Sequence, residues 1–300
     1  MPFNLSITHL YPNHLNLYGD LGNIIALKRR CQWLGIDYQV NQWDLNDVVQ
    51  AGETDIYFMG GGQDKDQLAV VDDFHALKRA AVTEDTLDGV VFLGVCGGYQ
   101  LMGNSFLMGN GNSTRGLGII NIETKAPGTS VKQRCTGNLV VEIMPDIYAD
   151  MRSLYTSPSA SASPSPSASP PPSPSASPPP AQSDTASPPT VPKTLVGFEN
   201  HSGQTYLGQN VAPLARTIAG FGNNADAVYE GARFKNVFGS YMHGSLLPKN
   251  PHFADYLIWL ALVRKYNDPD IRLPHLTDQE ELDAHHYIVK RYTQQYAGPT

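Results

Sequence analysis

Apolar and polar positions change period in blocks along this chain of 300 residues. FNLSITHLY, at positions 3–11, places Phe3, Leu5 and Ile7 on alternate positions, the period of a half-buried strand. LGNIIALKRRCQWLG then shifts to three-to-four spacing and closes on Gly35, which predicts a helix with a glycine stop. IDYQVNQW and DIYFMGGG read as strands, DQLAVVDDFHALKRAAV as a helix, and the wholly apolar GVVFLGV as a strand buried on both faces. Further on, GLGIINIET, GNLVVEIM, KTLVGFENHSG and NVFGSYMHG read as strands, FADYLIWLALVRKY as an apolar helix and TDQEELDAHHYIVKRYTQQY as a polar one. Strand and helix in alternation predict an α/β fold, a mostly parallel sheet with helices on both faces and ligands beyond the carboxyl ends of its strands.

The pattern is broken once, over 156–192, where Ser, Pro and Ala dominate and Asp184 is the one charge between Thr156 and Thr190. Such a tract buries too little to offset its ordering entropy, which predicts a disordered insertion. Its flanks, GNLVVEIM and KTLVGFENHSG, each look like a sheet element without a core of its own. One domain over 1–265 interrupted by a long loop is therefore expected, since closure entropy grows only logarithmically with loop length. Residues 266–300 are expected as a C-terminal helical extension.

Composition narrows the function classes. With 41% hydrophobic and 16% charged residues the chain has material for a sizeable core, and its formal charge of -7 has the wrong sign for gripping nucleic acid. Three cysteines, Cys31, Cys96 and Cys135, lack the paired spacing of a zinc site or a disulfide framework, which fits a reducing, cytoplasmic setting. No stretch approaches the ~20 apolar residues of a membrane span, so membrane insertion is not expected, although work at the inner membrane surface is compatible.

Three strand ends carry candidate chemistry. Gly94-Val95-Cys96-Gly97-Gly98 has the G-x-nucleophile-x-G form of a strand-to-helix elbow, with cysteine as the nucleophile and small neighbours that let the chain turn sharply. FMGGGQD, about 35 residues earlier, ends another strand in three glycines. Its Gly61 and Gly62 N–H groups, with that of Gly97, are candidates for an oxyanion hole. NVFGSYMHGS ends a third strand at His243, placed to exchange protons with a thiol. His201, in GFENHSG, competes for that role; His75, His285 and His286 lie in helices and read as solvated or packed side chains.

GVCGGYQLMG, GGGQD and YMHGS together resemble the class I glutamine amidotransferases of the cobyric acid synthase type, which have a flavodoxin-like three-layer domain. HLYPNHLNLYGDLGNIIAL, RCTGNLV and GFENHSGQTYLG narrow the resemblance to the glutaminase subunits of lipid II isoglutaminyl synthases, over His9 to Ser245 with the insertion excluded. The resemblance implies that Cys96 attacks the side-chain amide of L-glutamine and that the ammonia passes to a Mur-ligase-like partner. That partner amidates the D-glutamate α-carboxylate in the stem peptide of lipid II. ATP and magnesium are expected on the partner and no cofactor or metal on this chain, whose sequence shows no G-x-x-x-x-G-K-[ST] phosphate loop.

By the same resemblance Arg134, in RCTGN, binds the α-carboxylate of glutamine, a pairing suited to the guanidinium fork. Gln100, just inside the elbow helix, is a second substrate-side candidate or a packing residue. Many class I glutaminases carry His-x-Glu, but Ser245 stands where that glutamate would be. Asp20 and Glu199 are the candidates for orienting His243, and Asp20 reads equally as the N-cap of the following helix. An amidotransferase for another carboxylate such as a corrinoid side chain, a cysteine hydrolase of the same architecture and a non-catalytic regulatory subunit are the competing readings.

Overall fold

The central sheet is built from the most apolar segments of the chain. In the computed structural model, which describes residues 2–107, 111–127, 134–155, 191–224 and 228–296, strand β1 (Asn4–Leu10) pairs in parallel with β2 (Asp37–Trp43) on one side and β3 (Ile56–Met59) on the other. Strand β4 (Val91–Val95) lies parallel to β3. Every residue of β3 and β4 is buried, as cover by helices on both faces requires.

Between these strands run α1 (Leu21–Trp33), α2 (Asp64–Asp73) and α3 (Arg79–Leu87). The single helix expected from DQLAVVDDFHALKRAAV is split by a π-helical turn, Phe74–Lys78. The widened turn buries both Phe74 and Lys78 and brings Lys78 Nζ to Asp73 Oδ2 at 2.5 Å and to the Asp47 carbonyl at 2.8 Å.

A short helix, α4 (Gly97–Leu101), follows β4 and leads into β5 (Ser105–Leu107), β6 (Ser113–Arg115) and β7 (Ile122–Lys125). Next come β8 (Cys135–Ile143), α5 (Pro145–Ser153), β9 (Thr194–His201) and β10 (Gln204–Leu207). The chain continues through β11 (Ala215–Ala219), β12 (Tyr229–Glu230), β13 (Ala232–Phe234) and β14 (Val237–Ser240), and closes with α6 (Pro251–Tyr266) and α7 (Gln279–Tyr296). Strand β14 returns to the central sheet parallel to β4, with β13 antiparallel at the edge, giving the order β13-β14-β4-β3-β1-β2. Two smaller sheets, ordered β10-β7-β5-β6 and β12-β11-β8-β9, are mainly antiparallel.

The segments flanking the Ser/Pro/Ala tract are neighbours. Strands β8 and β9 pair antiparallel from Cys135↔His201 to Glu142↔Thr194, so one sheet contains both. The tract at 156–190 lies outside the described residues. Val191, expected inside the insertion, is 6% exposed and its carbonyl accepts from Tyr148 Oη at 3.1 Å, which places it in the folded body.

Residues beyond 265 also join the core. Ile288, Val289 and Tyr292 of α7 pack on Val140, Val196 and Ala219 of β8, β9 and β11. His285 of the same helix is buried, with Nε2 2.8 Å from Thr194 Oγ1 and Nδ1 3.0 Å from the Lys249 carbonyl. Arg30 of α1 pairs through Nε and Nη2 with Asp255 of α6, and through Nη1 and Nη2 with Asp278 at 2.7 and 2.9 Å, with all three residues buried. Tyr155 Oη donates to Asp255 Oδ2 at 3.0 Å and completes the cluster. Removing the cation leaves two carboxylates buried without a counter-charge. Arg30→Met is therefore expected to destabilise the chain by about 3–5 kcal/mol in a denaturant titration, whereas a loss below about 1 kcal/mol would mean that the cluster does not hold α1 to α6.

Candidate active site

Cys96 stands between β4 and α4 with φ 48° and ψ −103°, a strained left-handed conformation for a side-chain-bearing residue. The glycines around it are required by close approach. A Cβ on Gly94 would lie 2.3 Å from Met102 Sδ, one on Gly97 2.6 Å from the Gly62 nitrogen, and one on Gly98 2.4 Å from the Met59 carbonyl oxygen. Strand β14 supports the turn from the other side, its Ser240 carbonyl accepting from the Cys96 N–H at 2.8 Å. The thiol-bearing residue is 9% exposed.

The glycine triplet after β3 lies directly against this elbow. Of the three expected oxyanion donors, Gly61 is committed elsewhere, because its N–H donates to Asp20 Oδ2 at 2.7 Å. Its carbonyl accepts from the Leu17 N–H at 3.0 Å, which fixes the peptide plane that carries the Gly62 N–H. Among the described residues nothing accepts from the Gly62 or Gly97 N–H. These two N–H groups lie in the turns that meet at Cys96, and the Gly61 N–H is turned to Asp20 instead.

His243 lies just past the carboxyl end of β14, fully buried. Its backbone exchanges two hydrogen bonds with Phe198 of β9, at 2.7 and 3.3 Å. Its Nδ1 faces Asp20 Oδ1 at 3.4 Å, and its Nε2 is buried without a hydrogen-bond partner among the described residues. A Cβ on Gly61 would come within 2.7 Å of His243 Cε1, 3.2 Å of Asp20 Oδ2 and 3.5 Å of Cys96 Cβ, so the three side chains converge on one point. Asp20 makes no capping bond with its side chain; the Leu21 N–H at the start of α1 is held by Asn16 Oδ1 instead, at 2.8 Å.

The other candidates are sorted by their partners. Glu199 is buried and accepts from the Phe221 and Gly222 N–H groups at 2.7 and 3.0 Å, with His201 Nε2 3.6 Å away, so it is turned from His243. His201 stacks on Tyr241 with ring centroids 3.5 Å apart and its Nδ1 is bound at the Gly203 carbonyl, 2.8 Å away. A cavity of roughly 510 Å3 is lined by Cys96, His243, Gly62, Gln100, His201 and Arg134 among others. Exposed Arg134 lies at its rim, Nε donating to Asn200 Oδ1 at 2.5 Å. Gln100 is buried and donates to Tyr241 Oη at 3.3 Å. Tyr18 and Gln67 are among the lining residues that the sequence pattern did not single out. Tyr18 has φ 55° and sets its ring edge-on to His243, centroids 4.9 Å apart. Gln67 is buried on α2, with no local signal besides its position just after the glycine motif.

Residues 6–251 match the CobB/CobQ-like glutamine amidotransferase domain. The chain belongs to this family. Among curated relatives, the lipid II isoglutaminyl synthase (glutamine-hydrolyzing) subunit GatD of Streptococcus pneumoniae is 34% identical over 277 residues, covering 92% of this chain and 87% of that protein. The subunit of the same name from Staphylococcus aureus is 33% identical over 261 residues, covering 87% and 86%. A solved structure, PurLQS from Thermotoga maritima, shares the fold at a TM-score of 0.50 and 11% identity, covering 89% of this chain and 100% of that one.

All the converging residues of this amidotransferase domain lie inside the matched range. Burial by itself lowers the His243 pKa, but its interactions with Cys96 and Asp20 outweigh it and raise it from 6.5 to about 10. The imidazolium is thus held through neutral pH and gives up its proton only as pH approaches 10. The stability it confers is complete below pH 6.5 and is lost as pH rises toward 10. Among the described residues no group of three His, Cys, Asp or Glu side chains is placed to hold a metal ion, and no helix is long and apolar enough to cross a membrane. Asp20→Asn weakens one of these two interactions, so the pKa of His243, followed by NMR of its ring protons, is expected to be lower than in the unaltered chain. An unchanged midpoint would show that Asp20 does not act on the ring.

Proposed function

We propose that this chain hydrolyses L-glutamine at Cys96 and delivers the ammonia to a synthetase partner. The observation that supports this most directly is the convergence of Cys96, His243 and Asp20 on one point beside the two uncommitted N–H groups of Gly62 and Gly97. In this reading the Cys96 sulfur attacks the carboxamide carbon while the carbonyl oxygen, becoming an oxyanion, is met by the Gly62 and Gly97 N–H groups. His243 passes its proton to the amide nitrogen, the C–N bond breaks and ammonia leaves a glutamyl thioester. Water then gives a proton to His243 and adds to the thioester, releasing glutamate and restoring the cysteine. Asp20 acts as the orienting acid, holding the His243 ring from its Nδ1 side.

Arg134, which lines the same cavity, takes the α-carboxylate of the substrate, and Asn200 keeps its guanidinium in place. The names of the relatives support a place in lipid II isoglutaminyl synthesis. There a Mur-ligase-like partner with ATP and magnesium amidates the D-glutamate carboxylate of the lipid II stem peptide, at the cytoplasmic face of the membrane.

Two measurements check this. Combined with the partner, ATP and lipid II, the unaltered chain is expected to release one glutamate per amide formed, and Cys96→Ala to release none above background; glutamate release by the alanine variant would overturn the assignment. Arg134→Met is expected to raise KM for glutamine by about 10- to 100-fold with kcat nearly unchanged, the pattern of a lost charge-assisted substrate contact.

A further inference from the structure

Gln67 has one end used and the other idle. It is 3% exposed and lines the same cavity as Cys96. Its Nε2 donates to the Gly62 carbonyl and to Gln100 Oε1, each at 3.1 Å, which spends both hydrogens. Because a backbone carbonyl only accepts, this also settles which end of the amide is nitrogen. Gln100 is fixed in turn by its own donation to Tyr241 Oη at 3.3 Å. Gln67 Oε1 is left buried with no partner among the described residues. A buried acceptor without a donor is costly, and this one belongs to a side chain that lines the cavity beside the Gly62 and Gly97 turns, where a ligand donor can satisfy it.

The identity of the ligand donor follows from where Gln67 sits. A Cβ on Gly97 would lie 3.1 Å from Gln67 Nε2 and 2.6 Å from the Gly62 nitrogen, so the amide borders the part of the cavity where Gly62 and Gly97 meet beside Cys96. There glutamine presents the N–H groups of its carboxamide. Glutamate presents only carboxylate oxygens there at neutral pH, and these would face the lone pairs of Oε1.

Resting on the glutaminase reading, we propose that Gln67 Oε1 accepts a hydrogen bond from the carboxamide N–H of the substrate and is the residue by which the site prefers glutamine to glutamate. The contact also turns the carbonyl oxygen of the carboxamide toward the Gly62 and Gly97 N–H groups and leaves the nitrogen to be protonated by His243. A site that spends a buried acceptor on the substrate N–H rejects a ligand lacking it more strongly than shape alone would.

The test is calorimetric binding to the full chain carrying Cys96→Ala, which cannot turn glutamine over. Adding Gln67→Met is expected to weaken glutamine about tenfold and to leave glutamate unchanged or tighter, so that the ratio of the two dissociation constants collapses. Equal weakening of both ligands would place Oε1 on the shared α-ammonium and overturn the proposal, as would no change in either. If the methionine variant fails to fold, the ligand is altered instead. Glutamate γ-methyl ester, which keeps the carbonyl but has no carboxamide N–H, is expected to bind the chain with Gln67 intact about tenfold more weakly than glutamine. Equal binding overturns the proposal. Failure of the glutaminase reading shows separately, as absence of glutamate release by the unaltered chain with its partner.

Discussion

Two turns of backbone pressed together without intervening side chains set the geometry on which the candidate site depends. The Gly60–Gly62 turn after β3 meets the Cys96–Gly98 turn after β4 so closely that a methyl group on Gly97 or Gly98 would overlap main-chain atoms of the opposing turn. This contact brings Gly62 against Gly97, next to Cys96. It also holds Cys96 at φ 48°, a conformation costing about 1–3 kcal/mol that persists only where the surroundings over-determine it. Here the surroundings are β3 and β4, buried along their full lengths, and the Ser240 carbonyl of β14 that anchors the Cys96 N–H.

Asp20 links the two halves of the chemistry. One of its oxygens holds the Gly61 N–H and the other faces His243, so the carboxylate ties the glycine turn to the imidazole. The segment leading into His243 is held from below by Glu230, whose Oε1 accepts from the Tyr241 N–H at 2.7 Å and from Ser240 Oγ at 3.0 Å. Burial raises the Glu230 carboxyl to about 8 despite those two donors, so its charge is largely suppressed at neutral pH beneath the site. Tyr241 then connects this support to the cavity wall through Thr205 and Gln100, at 2.6 and 3.3 Å. His243, the Gly61–Gly62 turn and Gln100 are thus tied together by buried polar contacts, which brings residues far apart in the chain to one place.

The smaller sheets extend that scaffold outward. Strands β8 and β9 carry Arg134 and Asn200 to the rim of the cavity, and their antiparallel pairing puts strands from both sides of the Ser/Pro/Ala tract in one sheet. Helix α7 covers this sheet, and the Arg30–Asp255–Asp278 cluster fastens the chain just before it to α1, the helix that begins immediately after Asp20. The C-terminal segment thus bears on the site through the helix that follows its carboxylate.

Hydrophobic period and glycine placement were sufficient to read the strand–helix alternation, the elbow around Cys96, the glycine turn opposite it and His243 at a strand end. These are local properties, set by which side chains lie on one face and by which positions must lack a Cβ. The choice between Asp20 and Glu199 could not be read that way. Both are buried acids near sheet elements, and only the fold shows Asp20 turned to His243 and Glu199 to the Phe221 and Gly222 amides. The same holds for Gly61, whose N–H looked equivalent to that of Gly62 until Asp20 was seen to take it, and for Gln67, which no spacing distinguishes from a surface glutamine. A residue's periodicity is written within one element. The partner of a buried hydrogen-bonding group is chosen among elements separated by tens or hundreds of residues, and only their packing decides it.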